Sequence, residues 1–91
     1  MSAVPEITVY STMFCPYCER ARGLLARKGL GFREIKVDED PAQRTIMLQR
    51  SHGRRTVPQI FIGDLHVGGY TDLYELDRKG ALDKLLSSSS S

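Results

Sequence analysis

The spacing of apolar residues changes period several times along this chain, and the order of those changes limits the folds open to it. EITVY, Glu6–Tyr10, alternates and is rich in β-branched residues, so Ile7–Tyr10 reads as a strand. From about Pro16 to Lys28 the period becomes helical. Cys18, Ala21 and Leu25 share one face, Leu24 widens it, and Gly29 and Gly31 end it. FREIKV is a second strand with Phe32, Ile35 and Val37 among its apolar positions. Asp40 then offers an N-cap, Pro41 suits the first helical turn, and Gln43 could reach back as in a capping box. That helix runs to about Arg50 and buries Ile46, Met47 or Leu48.

SHGRR breaks the pattern. PQIFI and LHVGG, joined through Gly63 and Asp64, read as the two strands of a hairpin. A last helix is expected to start near Thr71 or Asp72, to bury Leu73 and Leu76, and to stop at Gly80. ALDKLL adds a further amphipathic turn or two. The order β-α-β-α-β-β-α implies an α/β fold. A βαβ unit contributes two parallel strands and the hairpin two antiparallel ones, so the expectation is a four-stranded mixed sheet with helices on both faces.

Ninety-one residues make one domain, assigned to residues 1–86. The run Ser87–Ser91 is low in complexity and is expected to be disordered. A formal charge of +2 is too small to argue for nucleic acid or membrane. Arginines do gather locally at Arg50, Arg54 and Arg55, where a small anion could be met. No apolar run is long enough for a signal peptide or a bilayer span. A reducing, cytoplasmic setting is therefore expected, and two cysteines are too few for a secreted disulfide scaffold of this size.

Those two cysteines, Cys15 and Cys18, fall where the first strand gives way to the first helix. A Cys-x-x-Cys pair can be a metal claw, a structural staple or a redox couple. A structural zinc site needs four ligands, and there is no second cysteine pair; His52 and His66 lie far off in sequence and read as surface or packing residues. A disulfide across two intervening residues closes almost no loop and would stabilise little. Redox chemistry fits best. Pro16 takes the first helical position, where its missing N–H costs nothing, and the free amides of Tyr17 and Cys18 can point back at the Cys15 sulfur. A helix N-terminus favours a thiolate there, while Cys18 sits one turn in, on the apolar face.

CPYC (Cys15–Cys18), TVPQIFIG (Thr56–Gly63) and GGYTDL (Gly68–Leu73), in this order and at these separations, resemble the dithiol glutaredoxins, above all the small bacterial type. The resemblance spans about residues 6 to 86. It implies a thioredoxin-like fold and glutathione-dependent reduction of protein disulfides and glutathione mixed disulfides, with Cys15 as nucleophile and Cys18 as resolving thiol. It also implies a cis peptide bond before Pro58. Its glutathione groove would draw on Tyr17, Arg44, Thr56, Val57, Pro58, Gly69, Thr71 and Asp72, with Gly68 and Gly69 letting the backbone approach closely. Thr71 and Asp72 would take the γ-glutamyl end, and Arg44 the glycine carboxylate. Glutathione is then a co-substrate and no metal is expected. Partners would be disulfide-bearing or glutathionylated proteins, ribonucleotide reductase being one candidate, with no nucleic acid, no membrane and a monomeric protein.

Two positions depart from the family's habit. Many relatives carry a lysine where this chain has Thr12, and often a cysteine where it has Tyr70. The first removes a cation near the thiolate. Two other functions remain open on the sequence. One is a redoxin served by thioredoxin reductase, which would lack a working groove. The other is an iron–sulfur carrier holding a cluster through Cys15 and glutathione, which the rigid Pro16 disfavours.

Overall fold

The computed structural model describes residues 5–88, the last two by backbone alone. The chain forms β1 (Ile7–Ser11), α1 (Pro16–Arg27), β2 (Arg33–Lys36), α2 (Pro41–Arg50), β3 (Gln59–Ile62), β4 (Leu65–Gly68), α3 (Tyr70–Arg78) and α4 (Ala81–Ser88). The strands lie in the order β2-β1-β3-β4. β1 runs parallel to β2 and antiparallel to β3, and β3 runs antiparallel to β4. This is the expected four-stranded mixed sheet.

Alternation along the strands sends side chains to two separate cores. Ile7 and Val9 of β1, with Ile60 and Ile62 of β3, meet Ala21, Leu24 and Leu25 of α1, Leu73 of α3, and Leu82 and Leu86 of α4. Tyr10 and Phe61 point the other way and pack edge to face, 5.6 Å between ring centres, against Met47 of α2 and Val37. One face therefore carries α1, α3 and α4, and the opposite face carries α2. Within α2, Met47 is fully buried while Ile46 is exposed, so the first of the three apolar candidates turns outward.

Local signals set the helix ends. Asp40 caps α2, its Oδ1 accepting the Gln43 N–H at 3.2 Å, and Pro41 opens the first turn. Lys28 closes α1 and ties it to the other helices, its Nζ lying 2.7 Å from Asp77 and 3.2 Å from Asp83. Beneath the cysteine loop, buried Ser11 donates its hydroxyl to Glu34 at 2.7 Å, and Glu34 also pairs with Arg22 of α1.

Two expectations shift. α3 begins at Tyr70 rather than at Thr71 or Asp72, because Gly69 is its N-cap. α4 continues through Ser88 and so takes in two of the serines set aside as a tail. Residues 1–4 and 89–91 lie outside the described residues.

The second core is small, so its central side chain should be costly to remove. Met47→Ala is expected to lower the unfolding free energy by about 2–5 kcal/mol, read by urea denaturation. A loss well under 1 kcal/mol, on the order of a surface substitution, would mean that this face is not tightly packed.

Candidate active site

Strand directions bring three segments to one end of the sheet. β1 ends beside the start of β3, with Tyr10 opposite Gln59, and β4 ends there too, with Gly68 opposite Ile60. The cysteine loop after β1, the segment Thr56–Pro58 before β3 and the start of α3 after β4 therefore converge. Met13, in the cysteine loop, donates its N–H to Asp38 at 3.1 Å, which fastens that loop to the turn after β2.

Cys15 is the N-cap of α1. Its backbone is extended, and its Sγ accepts the Cys18 N–H at 3.2 Å. A sulfur thus fills the role usually taken by a serine or aspartate oxygen. The Cys15 thiol also lies 3.8 Å from the Val57 carbonyl oxygen, to which it can donate. Cys15 is half-buried and Cys18 wholly buried. Both are free thiols here. Burial, helped by the hydrogen bond and charge of Cys15, pushes the Cys18 thiol up from 9.0 to about 12. Cys18 is therefore a neutral thiol at neutral pH. Around the pair, Met13, Phe14 and Tyr17 leave large apolar surfaces in solvent, Phe14 being 91% exposed.

Beside Val57 opens a cleft of about 240 Å³. Tyr17 of α1 forms one side. Thr56, Val57 and Pro58 form the floor, with Arg54 beyond them. Gly69, Tyr70, Thr71 and Asp72 at the start of α3 close the other side. The Val57–Pro58 peptide is cis. Of the residues the sequence assigned to a groove, Tyr17, Thr56, Val57, Pro58, Gly69, Thr71 and Asp72 come together here. Arg44 does not: it is exposed on the first turn of α2 and is not among the lining residues. The basic side chain at the cleft is Arg54, which the sequence had flagged only as part of an arginine cluster. Arg50 of that cluster is used internally, donating to the Tyr10 hydroxyl at 3.0 Å and the Gly63 carbonyl at 3.1 Å.

Tyr70 reaches the cleft as well and packs near Tyr17, 6.4 Å between ring centres. Asp72 is both cleft-facing and a helix-start residue, its Oδ2 accepting the Gly69 N–H at 2.9 Å. The two glycines differ. Gly68 has φ +116°, and a Cβ there would fall 2.3 Å from the Asp72 carboxylate, so only glycine fits. Gly69 is extended, and a Cβ would make only an ordinary 3.6 Å contact with the Pro58 oxygen. Among the described residues, no three His, Cys, Asp or Glu side chains are grouped to hold a metal ion.

Comparison with known proteins points one way. The family model described as Glutaredoxin matches residues 7–67. A Pseudomonas aeruginosa protein named Glutaredoxin is 52% identical over 84 residues, covering 92% of this chain and 99% of the relative. Glutaredoxin 3 of Escherichia coli strain K12 is 51% identical over 81 residues, 89% of this chain and 96% of the relative. The crystal structure of a buckwheat glutaredoxin–glutathione complex superposes with a TM-score of 0.82 at 33% identity, covering 93% of this chain and 79% of that one.

The two thiols should separate by reactivity. In the folded, reduced protein near pH 8, iodoacetamide is expected to modify Cys15 and to spare Cys18, as read by mass spectrometry of tryptic peptides. Modification of Cys18 should rise only as pH climbs from 9.0 toward about 12, or after unfolding. The sign carries over to stability. Cys18 holds its proton longer when folded, so it contributes no pH dependence well below 9.0 and weakens the reduced fold as pH rises from there toward about 12. Equal labelling of both cysteines at pH 8 would contradict this picture.

Proposed function

This chain belongs to the glutaredoxin family and is a glutathione-dependent thiol–disulfide oxidoreductase; within that activity we propose that Cys15 is the attacking thiolate, Cys18 the resolving thiol, and the cleft beside Val57 the seat of glutathione. The observation that carries this reading is the Cys15 sulfur itself. It caps α1, takes an N–H from Cys18, and lies 3.8 Å from the carbonyl oxygen of Val57, a residue that lines the cleft.

With a glutathionylated protein, the Cys15 thiolate attacks the glutathione sulfur. The mixed disulfide breaks, the protein leaves as a thiolate, and Cys15 carries glutathione. A second glutathione thiolate then attacks that sulfur, giving glutathione disulfide and regenerating Cys15. With a protein disulfide, the Cys15 thiolate attacks one substrate sulfur to form a mixed disulfide, the substrate disulfide breaks, and its other sulfur leaves as a thiolate. Cys18 attacks Cys15 Sγ and releases the second substrate thiol. Two glutathiones then reduce the Cys15–Cys18 bond in turn. Each step is sulfur attacking sulfur, and none needs a metal.

Timing follows from the environment of Cys18. Its thiol is held protonated by burial and, in addition, by Cys15. Once Cys15 is tied up in a mixed disulfide, its charge and its hydrogen bond no longer oppose ionisation of Cys18. The resolving thiol thus becomes easier to ionise at the step that uses it.

A buckwheat relative is seen in complex with glutathione, which supports glutathione as the ligand; the cleft lining suits a tripeptide along Thr56–Val57 with Tyr17 at its flank. The unpaired amides at the start of α3 suit its γ-glutamyl carboxylate, and Asp72 suits the neighbouring ammonium. Arg54 replaces Arg44 as the group for the glycine carboxylate, because it lines the cleft. No helix among the described residues is long and apolar enough to cross a membrane. The protein is read as a cytoplasmic monomer acting on disulfide-bearing or glutathionylated proteins.

Two experiments test these assignments. Cys15→Ser should abolish every exchange activity. Cys18→Ser should keep removal of glutathione from mixed disulfides and lose most reduction of protein disulfides; a comparable loss of deglutathionylation in both would refute the division of labour. Asp72→Asn retains an oxygen for the Gly69 N–H but removes the charge. It is expected to raise KM for a glutathionylated peptide by about tenfold at low salt, one decade being about 1.4 kcal/mol, and by less as salt rises. Iodoacetamide labelling of Cys15 should be unaltered. An unchanged KM would remove Asp72 from the groove.

A further inference from the structure

Behind the cleft lies a carboxamide with no exposure to solvent. Gln59 opens β3 and is 0% exposed. Its Nε2 donates to the Thr56 carbonyl at 2.9 Å and to the Thr56 hydroxyl at 3.1 Å. Its Oε1 lies 2.7 Å from Nε2 of His66 on β4. His66 in turn stacks on Phe61, with ring centres 4.8 Å apart and planes inclined by 22°.

One atom fixes the direction of the whole chain. The Thr56 carbonyl can only accept a hydrogen bond, so the end of Gln59 that faces it must be the NH₂ group. The opposite end is then the amide oxygen, which can only accept. His66 must therefore supply a proton from Nε2. Burial lowers the His66 pKa, and Arg54, His52 and Arg50 lower it further against the opposing pull of Asp72, so the ring is neutral at neutral pH. A neutral imidazole carries one N–H, and here it is committed to Gln59, leaving Nδ1 as an acceptor. If the proton moved to Nδ1, the amide would have to flip and would set its oxygen against the Thr56 carbonyl. The stacked ring and the enclosed amide leave little room for either change.

Thr56 and Val57 line the cleft. Their segment is thus tied to the sheet by a side chain three residues along. We infer that Gln59, oriented by His66 in its Nε2–H tautomer, is a positioning residue that holds Thr56–Val57 in register for substrates carrying glutathione. This rests on the reading of the cleft as the glutathione seat. Gln59 touches neither the substrate nor the reacting sulfurs; it acts through Thr56.

The test combines kinetics with a spectrum of the unaltered protein. Gln59→Met keeps length and bulk but loses both polar ends. It is expected to raise KM for a glutathionylated peptide by about fivefold, the worth of roughly one net hydrogen bond, while kcat and iodoacetamide labelling of Cys15 stay within about twofold. His66→Phe keeps the stack on Phe61 and loses the proton, so KM should move the same way; His66→Gln, which returns an N–H at similar reach, should restore it. The double variant Gln59→Met/His66→Phe should be no worse than Gln59→Met alone, because the two residues act in series. In ¹⁵N-edited spectra of the unaltered protein, His66 should show a single Nε2–H tautomer. An Nδ1–H tautomer or a mixture, or equal falls in kcat and labelling for Gln59→Met, would overturn the inference. If Asp72→Asn raises KM and Gln59→Met does not, the inference alone falls. If neither raises it, the reading of the cleft falls and takes the inference with it.

Discussion

The hydrogen bond from the Cys18 N–H to Cys15 Sγ, at 3.2 Å, is the contact on which the rest of the site depends. A helix starting at Pro16 leaves its first amides without partners, and some acceptor must meet them. In this chain the acceptor is the sulfur proposed as the nucleophile. The bond that stabilises the start of α1 also holds the sulfur against an oriented N–H at the helix N-terminus. In the proposed reading capping and reactivity are one interaction, and its geometry follows from β1 stopping at Ser11 and the helix starting at Pro16. The same geometry puts Cys18 one turn down the helix, fully buried, where ionisation is costly.

Sheet topology completes the site. β1, β3 and β4 are neighbours with alternating directions, so the end of one strand lies beside the start of the next. The sulfur, the Thr56–Pro58 segment and the amides of α3 are remote in sequence but share one edge of the fold. Two cores on opposite faces hold that edge. α1 and α3 pack into the first core, and the arrangement around Tyr10, Phe61 and Met47 supports the second. Gly68 is where the topology is tightest, since a side chain there would collide with the Asp72 carboxylate.

Much of this was legible in residue order. The strands showed their period, Asp40–Pro41 announced a helix start, and the cysteines stood at a strand-to-helix junction. What the sequence left open was decided by three-dimensional neighbours. Arg44 and Arg54 are equally basic in a string of letters. In the folded chain Arg54, just past the turn at His52 and Gly53 with their positive φ, lines the cleft, and Arg44 does not. Gln59 read only as one residue of the strand PQIFI, because nothing local marks a polar group that will be enclosed and paired with His66. The first residue of α3 shifted because Gly69 caps it without a side chain, so there was no capping residue type to read.

The central claim is that Cys15 takes glutathione from a substrate while Cys18 waits. The most direct measurement uses the reduced, unaltered protein and a peptide carrying isotopically labelled glutathione. The mixture would be quenched with acid at the earliest times and the adduct mapped by mass spectrometry of proteolytic fragments. Labelled glutathione is expected on Cys15, with none on Cys18 and with the peptide released as its free thiol. Labelled glutathione on Cys18, or the peptide rather than glutathione joined to Cys15, would contradict the account.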